Sequence, residues 1–162
     1  MNDDAVFPAP EHDHDACIAE ALANAESLCQ SRGVRLTPQR RRILEIVWSS
    51  HLPIGAYDIL DRMNEDGDGR AAPMTVYRAL DFLIENGLVH RLASLNAYFG
   101  CDHPDTQHNT YFLICGDCGR AAEMEDREIE SAIASAAQRS GFEVRHQLLE
   151  VAGLCNDCHE KA

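Results

Sequence analysis

Apolar residues recur at helical spacing through the first half of the chain. Over residues 17–32, Ile18, Leu22, Ala25 and Leu28 share one face, and Gly33 ends the run. Cys29 lies on the same apolar side and reads as a core residue. Thr37-Pro38 is a strong helix start, a capping side chain followed by a residue whose missing N–H costs nothing at the first helical position. That helix carries Ile43, Leu44, Ile46, Val47 and Trp48 to about Ser50. Pro53 and Gly55 mark a turn before a third helix containing Tyr57, Ile59, Leu60 and Met63. After the loop-like stretch "NEDGDGRAAP", a fourth helix is predicted over roughly 74–86, stopped by Gly87. Its core face would be Val76, Leu80, Leu83 and Ile84, leaving Tyr77 and Arg78 on the outer side near the helix start.

The period then shortens. "LVHRLASLNAYFGC" shows two strand-like stretches around a Ser/Asn turn, which predicts a β-hairpin. Short helices followed by a hairpin make the winged helix-turn-helix pattern, whose last helix enters a DNA major groove. The pattern alone equally fits a three-helix protein-interaction module. "CDHPDTQHNT" then separates a second unit. There, residues 110–115 and 120–124 read as a strand pair, and 126–140 as an amphipathic helix on Ile129, Ile133, Ala136 and Ala137. "FEVRHQLLEVAGLC" reads as a closing strand. The chain thus parses as α+β. An acidic, disordered tail covers 1–16, a winged helix-turn-helix domain 17–100, a hinge loop 101–109 and a small αβ domain 110–162.

Charge sharpens this division. The formal net charge is −13 over 162 residues, which on its face opposes nucleic-acid binding. Its distribution is uneven: about −5 over 1–16, about −1 over 17–100 and about −7 over 101–162. The near-neutral middle holds the one basic cluster, "SRGVRLTPQRRRI", with Arg40, Arg41 and Arg42. A solvent-facing charge is the plain reading of Arg41 or Arg42. No run approaches the roughly 18 apolar residues of a membrane span, so no membrane partner is expected. The opening "MNDDAVFPAPEHDHDAC" lacks a basic and then apolar leader, which favours a cytoplasmic address. No hydrolase motif, phosphate loop or dinucleotide fingerprint marks an enzyme or a small-molecule substrate site.

Seven cysteines in a reducing compartment are not a disulfide framework. Four form two Cys-x-x-Cys pairs, Cys115/Cys118 and Cys155/Cys158, each at a strand end. Two such pairs can enclose one ion in a tetrahedron of thiolates, with zinc the default occupant and no open position for chemistry. The wide gap between the pairs would let the metal staple a helix and a strand. An iron-tetrathiolate redox centre is the rival reading. A thioredoxin-like dithiol fits less well, because "CGDCGRAAEME" does not open a helix after a buried strand. A second group of donors, His90, Cys101, His103, His108 and Glu123, clusters at the boundary between units. One thiolate, two imidazoles and a carboxylate from separate elements would make a tetrahedral site suited to zinc. Its occupancy would fix the angle between domains.

"RLTPQRRRIL", "PMTVYRALDFLIENGLVHR" and the two cysteine pairs together resemble the ferric uptake regulator family over roughly residues 17–160. "NAYFGC", the His-bearing loop and "CGDCGRAAEME" are most similar to its zinc uptake regulator branch. The resemblance implies a dimeric, metal-activated repressor of zinc uptake and homeostasis genes. It would bind double-stranded operator DNA through the winged helix and pair through an αβ dimerisation domain. It places a structural zinc on Cys115, Cys118, Cys155 and Cys158, and a regulatory zinc on His90, Cys101, His108 and Glu123, about two ions per chain. It places DNA contacts on Tyr57 and Arg78, with Thr75, Tyr77 and the Arg40–Arg42 cluster (Arg40, Arg41) as phosphate contacts. The iron-sensing branch carries a denser His-x-His loop than "CDHPDTQHNT", and Cys101 further disfavours an iron, manganese or peroxide signal. His103 and His146, or His12, His14 and Cys17 in the tail, are candidates for an auxiliary metal site.

Overall fold

A computed structural model describes residues 7, 13–65, 71–105 and 109–161. The chain divides into two compact units, one within residues 9–106 and the other within 107–162, with Phe7 grouped with the second. The division falls inside the expected hinge loop.

The first unit opens with α1 (His14–Ser31), α2 (Pro38–Trp48), α3 (Ala56–Glu65) and α4 (Pro73–Glu85). Helix α1 starts three residues before its apolar periodicity does, so residues 13–16 do not belong to a disordered tail. Asp13 is the reason: its carboxylate accepts the Ala16 N–H at 3.1 Å and caps the helix. Thr37 caps α2 in the same way through the Arg40 N–H at 3.3 Å, with Pro38 at the first turn. Gly33 and Gly87 take positive φ (67° and 69°) just past the ends of α1 and α4, where a side chain would be strained. Helix α3 runs on through Asn64 and Glu65 into the stretch expected to be loop.

These helices share one core built on Leu22, Ala25, Cys29, Ile43, Leu44, Val47, Ile59, Val76, Leu80 and Leu83. Cys29 is buried as expected. Ile84, expected in the core, is 36% exposed; Ala79 takes the inward position because α4 turns its 76/79/80/83 stripe to its neighbours. The hairpin is β1 (Val89–Leu92) and β2 (Ala97–Gly100), antiparallel, with Asn96 at φ 48° in its turn. Ile54, between Pro53 and Gly55, adds a bridge to this hairpin. Its N–H and C=O exchange hydrogen bonds with Tyr98 at 3.0 and 2.8 Å. The result is a three-helix core with a small β-wing, preceded by α1.

The second unit holds β3 (Thr110–Cys115), β4 (Ala121–Met124), α5 (Arg127–Arg139), β5 (Leu148–Gly153) and the short α6 (Asn156–His159). Strand β3 is central, antiparallel to β4 and parallel to β5. The predicted closing strand is real only over its last part. Residues 142–147 are irregular, and α5 supplies the crossover that a parallel partner needs. Asp126 caps α5 by accepting from the Glu128 and Ile129 N–H groups. The outer strand leaves Leu148, Val151 and nearby Leu154 exposed, at 53%, 41% and 47%. Among the described residues no helix is long and apolar enough to cross a membrane.

Candidate metal centres and nucleic-acid interface

The four cysteines of the two pairs meet at one end of the three-stranded sheet. Cys115 ends β3, and the chain turns through Gly116-Asp117-Cys118 to Gly119, whose positive φ (72°) closes the knuckle. The Gly119 N–H donates to the Cys115 carbonyl at 3.0 Å, and the Gly116 N–H to Gly153 at 2.8 Å. The second bond ties the knuckle to the end of β5, one turn of chain before Cys155. Cys155 then caps α6 and presents Cys158 on its first turn.

The sulfurs of Cys115, Cys118, Cys155 and Cys158 all lie within 4.8 Å of one another, and Cys118 Sγ is 3.7 Å from Cys155 Sγ. Zinc–sulfur bonds of about 2.3 Å put tetrahedral sulfurs about 3.8 Å apart, so the donor set fits a zinc ion. All seven cysteines are unbridged thiols. Three of the four thiols are shifted, and not all in the same direction. Backbone N–H groups of Cys118, then of Cys155, pull the Cys115 thiol down to about 6. The Arg120 side chain is the main cause that lowers Cys118. Hydrogen bonding to Cys155, then burial, pushes Cys158 up to about 12. The four sulfurs are close enough together to share one divalent cation.

Of the second donor set, His90 lies on β1 opposite Phe99, and Cys101 follows β2, its N–H bonded to the Leu88 carbonyl at 3.1 Å. The hairpin register thereby brings their ligand atoms within 4.8 Å of each other. Cys101 is buried, at 3% exposure. Glu123 stands on β4 of the other unit, opposite Phe112. His108 lies outside the described residues, as does His12. His14 is the first residue of α1, its ring centroid 4.8 Å from that of His51. His103 precedes Pro104 in the segment after Cys101, and His146 precedes β5.

Four of the proposed DNA-contacting residues lie near the starts of two helices, Tyr57 on α3 and Thr75, Tyr77 and Arg78 on α4. Tyr57 is 67% exposed on the first turn of α3, and Arg78 is exposed on α4, with Thr75 and Tyr77 half-buried beside it. Helix α4 has Ala72 as its N-cap, with no capping side-chain bond. Its first residue, Pro73, has no N–H, and the Thr75 N–H donates to the Ala72 carbonyl at 2.9 Å, so the helix start presents few backbone donors. Met74, 60% exposed one turn before Arg78, was not anticipated; an apolar residue at a helix start reads as core in a sequence. The basic cluster is more internally engaged than its composition suggests. Arg40 stacks its guanidinium 3.6 Å from the Phe82 ring centroid and donates to the Arg35 carbonyl at 2.7 Å. Arg41 pairs with Glu26 and Arg42 with Glu45, each at 2.8 Å.

A winged helix joined to an αβ unit with a four-thiol metal centre is the build of a metal-responsive regulatory protein. The chain belongs to the ferric uptake regulator family, whose model matches residues 31–152. It is 42% identical over 144 residues to the zinc uptake regulation protein of Escherichia coli strain K12, covering 87% of this chain and 82% of that one. Its fold is similar to that of a zinc uptake regulator complexed with zinc and DNA, with a TM-score of 0.83 and 41% identity over 89% of this chain and 96% of that chain. It is also similar to holo XcZur, with a TM-score of 0.79 and 44% identity over 87% of this chain and 98% of that one.

Proposed function

We propose that this protein is a zinc-responsive transcriptional repressor that binds operator DNA as a zinc-loaded homodimer and controls genes of zinc uptake and homeostasis. The observation that carries this reading is the pairing of a winged helix with two sets of soft donors. One is complete within the second unit and closed; the other begins with Cys101 and His90 at the root of the wing. The first set, Cys115, Cys118, Cys155 and Cys158, holds a zinc that supports folding. The second, completed by Glu123 and His108, is the sensor. Zinc suits it better than iron or manganese because a thiolate is among its donors.

The protein acts as a cytoplasmic regulator and not as an enzyme, and its partner is double-stranded operator DNA. Arg78 reads a base edge, for which a guanidinium can pair bidentately with guanine, and Tyr57, Thr75, Tyr77, Arg40 and Arg41 line the contact. The exposed apolar residues Leu148, Val151 and Leu154 support pairing of two chains through the second unit. Two-fold pairing of winged helices calls for a pseudo-palindromic operator. The zinc uptake regulator complexed with zinc and DNA and the Escherichia coli zinc uptake regulation protein both favour this reading.

The test is DNA binding against buffered free zinc, with metal counted per chain. Binding should switch on as occupancy rises from about one to about two ions per chain. Cys101→Ser should keep the first ion and lose the zinc response. DNA binding that ignores zinc, or follows iron or manganese, would overturn the sensor assignment.

A further inference from the structure

Arg120 stands two residues beyond Cys118, and its guanidinium is drawn onto the sulfur cluster. Nε donates to Cys118 Sγ at 3.5 Å and Nη2 to Cys155 Sγ at 3.2 Å. The same Nη2 is held by the carboxylate of Asp157, between the two cysteines of the second pair. The Arg120 side chain is 20% exposed, so its guanidinium is largely withdrawn from solvent, whereas Asp157, at 44%, stays open to it. One guanidinium thus contacts one sulfur from each Cys-x-x-Cys pair, and its own acidic partner fixes its plane.

Four thiolates around a divalent cation carry a net charge of about −2. A cation that hydrogen-bonds to two of the sulfurs offsets part of that charge and withdraws electron density from both. A planar fork can reach two sulfurs at once, whereas an ammonium is a point charge on a flexible stem. We propose that Arg120 is a positioning residue of the tetrathiolate centre. It donates N–H···S bonds to Cys118 and Cys155, is oriented by Asp157, and slows loss of the metal by offsetting the negative charge of the site at these two sulfurs. This rests on the reading that the four cysteines hold zinc.

The experiment compares full-length wild type with Arg120→Met, Arg120→Lys and Asp157→Asn. The readouts are zinc release to excess EDTA, followed with a chromogenic chelator at neutral and mildly acidic pH, and the sulfur-to-metal charge-transfer band of the cobalt-substituted proteins. Outer-shell partners of metal ligands are typically worth 10–100-fold in affinity. Arg120→Met should therefore release its structural zinc about tenfold faster. Its cobalt band should move to lower energy as the sulfurs become more electron-rich. Arg120→Lys and Asp157→Asn should fall between. A residue acting only as an ion pair would lower the melting temperature and leave the band in place.

Release within twofold of wild type and an unmoved band in Arg120→Met would overturn the proposal. If that variant does not fold, an unmoved band in Arg120→Lys overturns it equally. Wild-type protein that carries no tightly held zinc at these cysteines would instead overturn the structural-zinc reading beneath it.

Discussion

Gly100, the last residue of β2, lies flat against the indole of Trp48, the last residue of α2. A Cβ on Gly100 would sit 2.5 Å from Nε1 and 2.8 Å from Cζ2 of that ring. β2 is buried along its length, so the half-buried indole at the end of α2 is the side that must shift. Cys101 follows directly. Gly100→Ala should therefore cost about 1–3 kcal/mol through overpacking. The melting temperature should fall accordingly, and the free zinc needed for DNA binding should rise because Cys101 is displaced. Thermal unfolding in zinc excess and a zinc titration of operator binding check the two parts separately.

The tetrathiolate centre should be required for the second unit to fold. Cys155 is buried, and its N–H also supports Cys115 Sγ at 3.4 Å. Cys155→Ser should remove about one zinc per chain. It should also abolish dimerisation, because the residues that support pairing belong to the same small sheet. Metal analysis and sedimentation velocity on one sample would read both; a dimer that keeps its mass without this zinc would count against a folding role.

Zinc entry at this centre should release protons, and the pH dependence has a definite sign. At neutral pH Cys115, lowered to about 6, has already lost its proton, whereas Cys158, pushed up to about 12, still holds one. Binding must displace the Cys158 proton, so apparent affinity rises with pH across the neutral range. Below about pH 6 the Cys115 proton must be displaced as well, and the dependence should steepen there. Competition against a zinc chelator at several pH values measures the slope.

Arg78 and Arg41 should behave differently on DNA although both are exposed arginines. Arg78 projects from α4 among Met74, Thr75 and Tyr77, and Arg78→Ala should cost about 1–3 kcal/mol of specific affinity and relax preference at one base pair. Arg41 is already paired with Glu26, both side chains about half exposed, so Arg41→Ala should weaken binding only slightly and evenly across sequences. Binding measured on the operator and on single-base variants at fixed salt separates the two.

Arg40 should be a packing residue as much as a phosphate contact. Its guanidinium covers the Phe82 ring, which joins α2 to the face of α4. Arg40→Ala should lower stability by about 0.5–1 kcal/mol in the absence of DNA, more than the loss of an exposed charge would. Urea unfolding of DNA-free protein tests it.

Much of this was readable before any coordinates. Local chemistry announces itself locally: Thr37-Pro38 starts α2, Gly33 and Gly87 follow helix ends, and each Cys-x-x-Cys makes its own turn. Those features need only a few neighbouring residues, so sequence spacing carries them. What spacing could not carry was distance between parts of the chain. The start of α1 at His14 depended on one capping carboxylate, and the outward turn of Ile84 on which stripe of α4 meets its neighbours. The closing strand reads too long because Phe142 and Val144 alternate with polar residues in a segment that is irregular.

The sequence by itself therefore determined the order of elements, the two-unit α+β plan and the candidate ligands, because helical period, caps and cysteine spacing are short-range properties. Only the tertiary structure decided that β5 runs parallel to β3 and that Ile54 joins the wing. It alone turned Arg40 onto Phe82 and Arg120 onto the sulfurs of Cys118 and Cys155. Each of these is a meeting of residues whose identities say nothing of one another; packing of the whole chain brings them within reach.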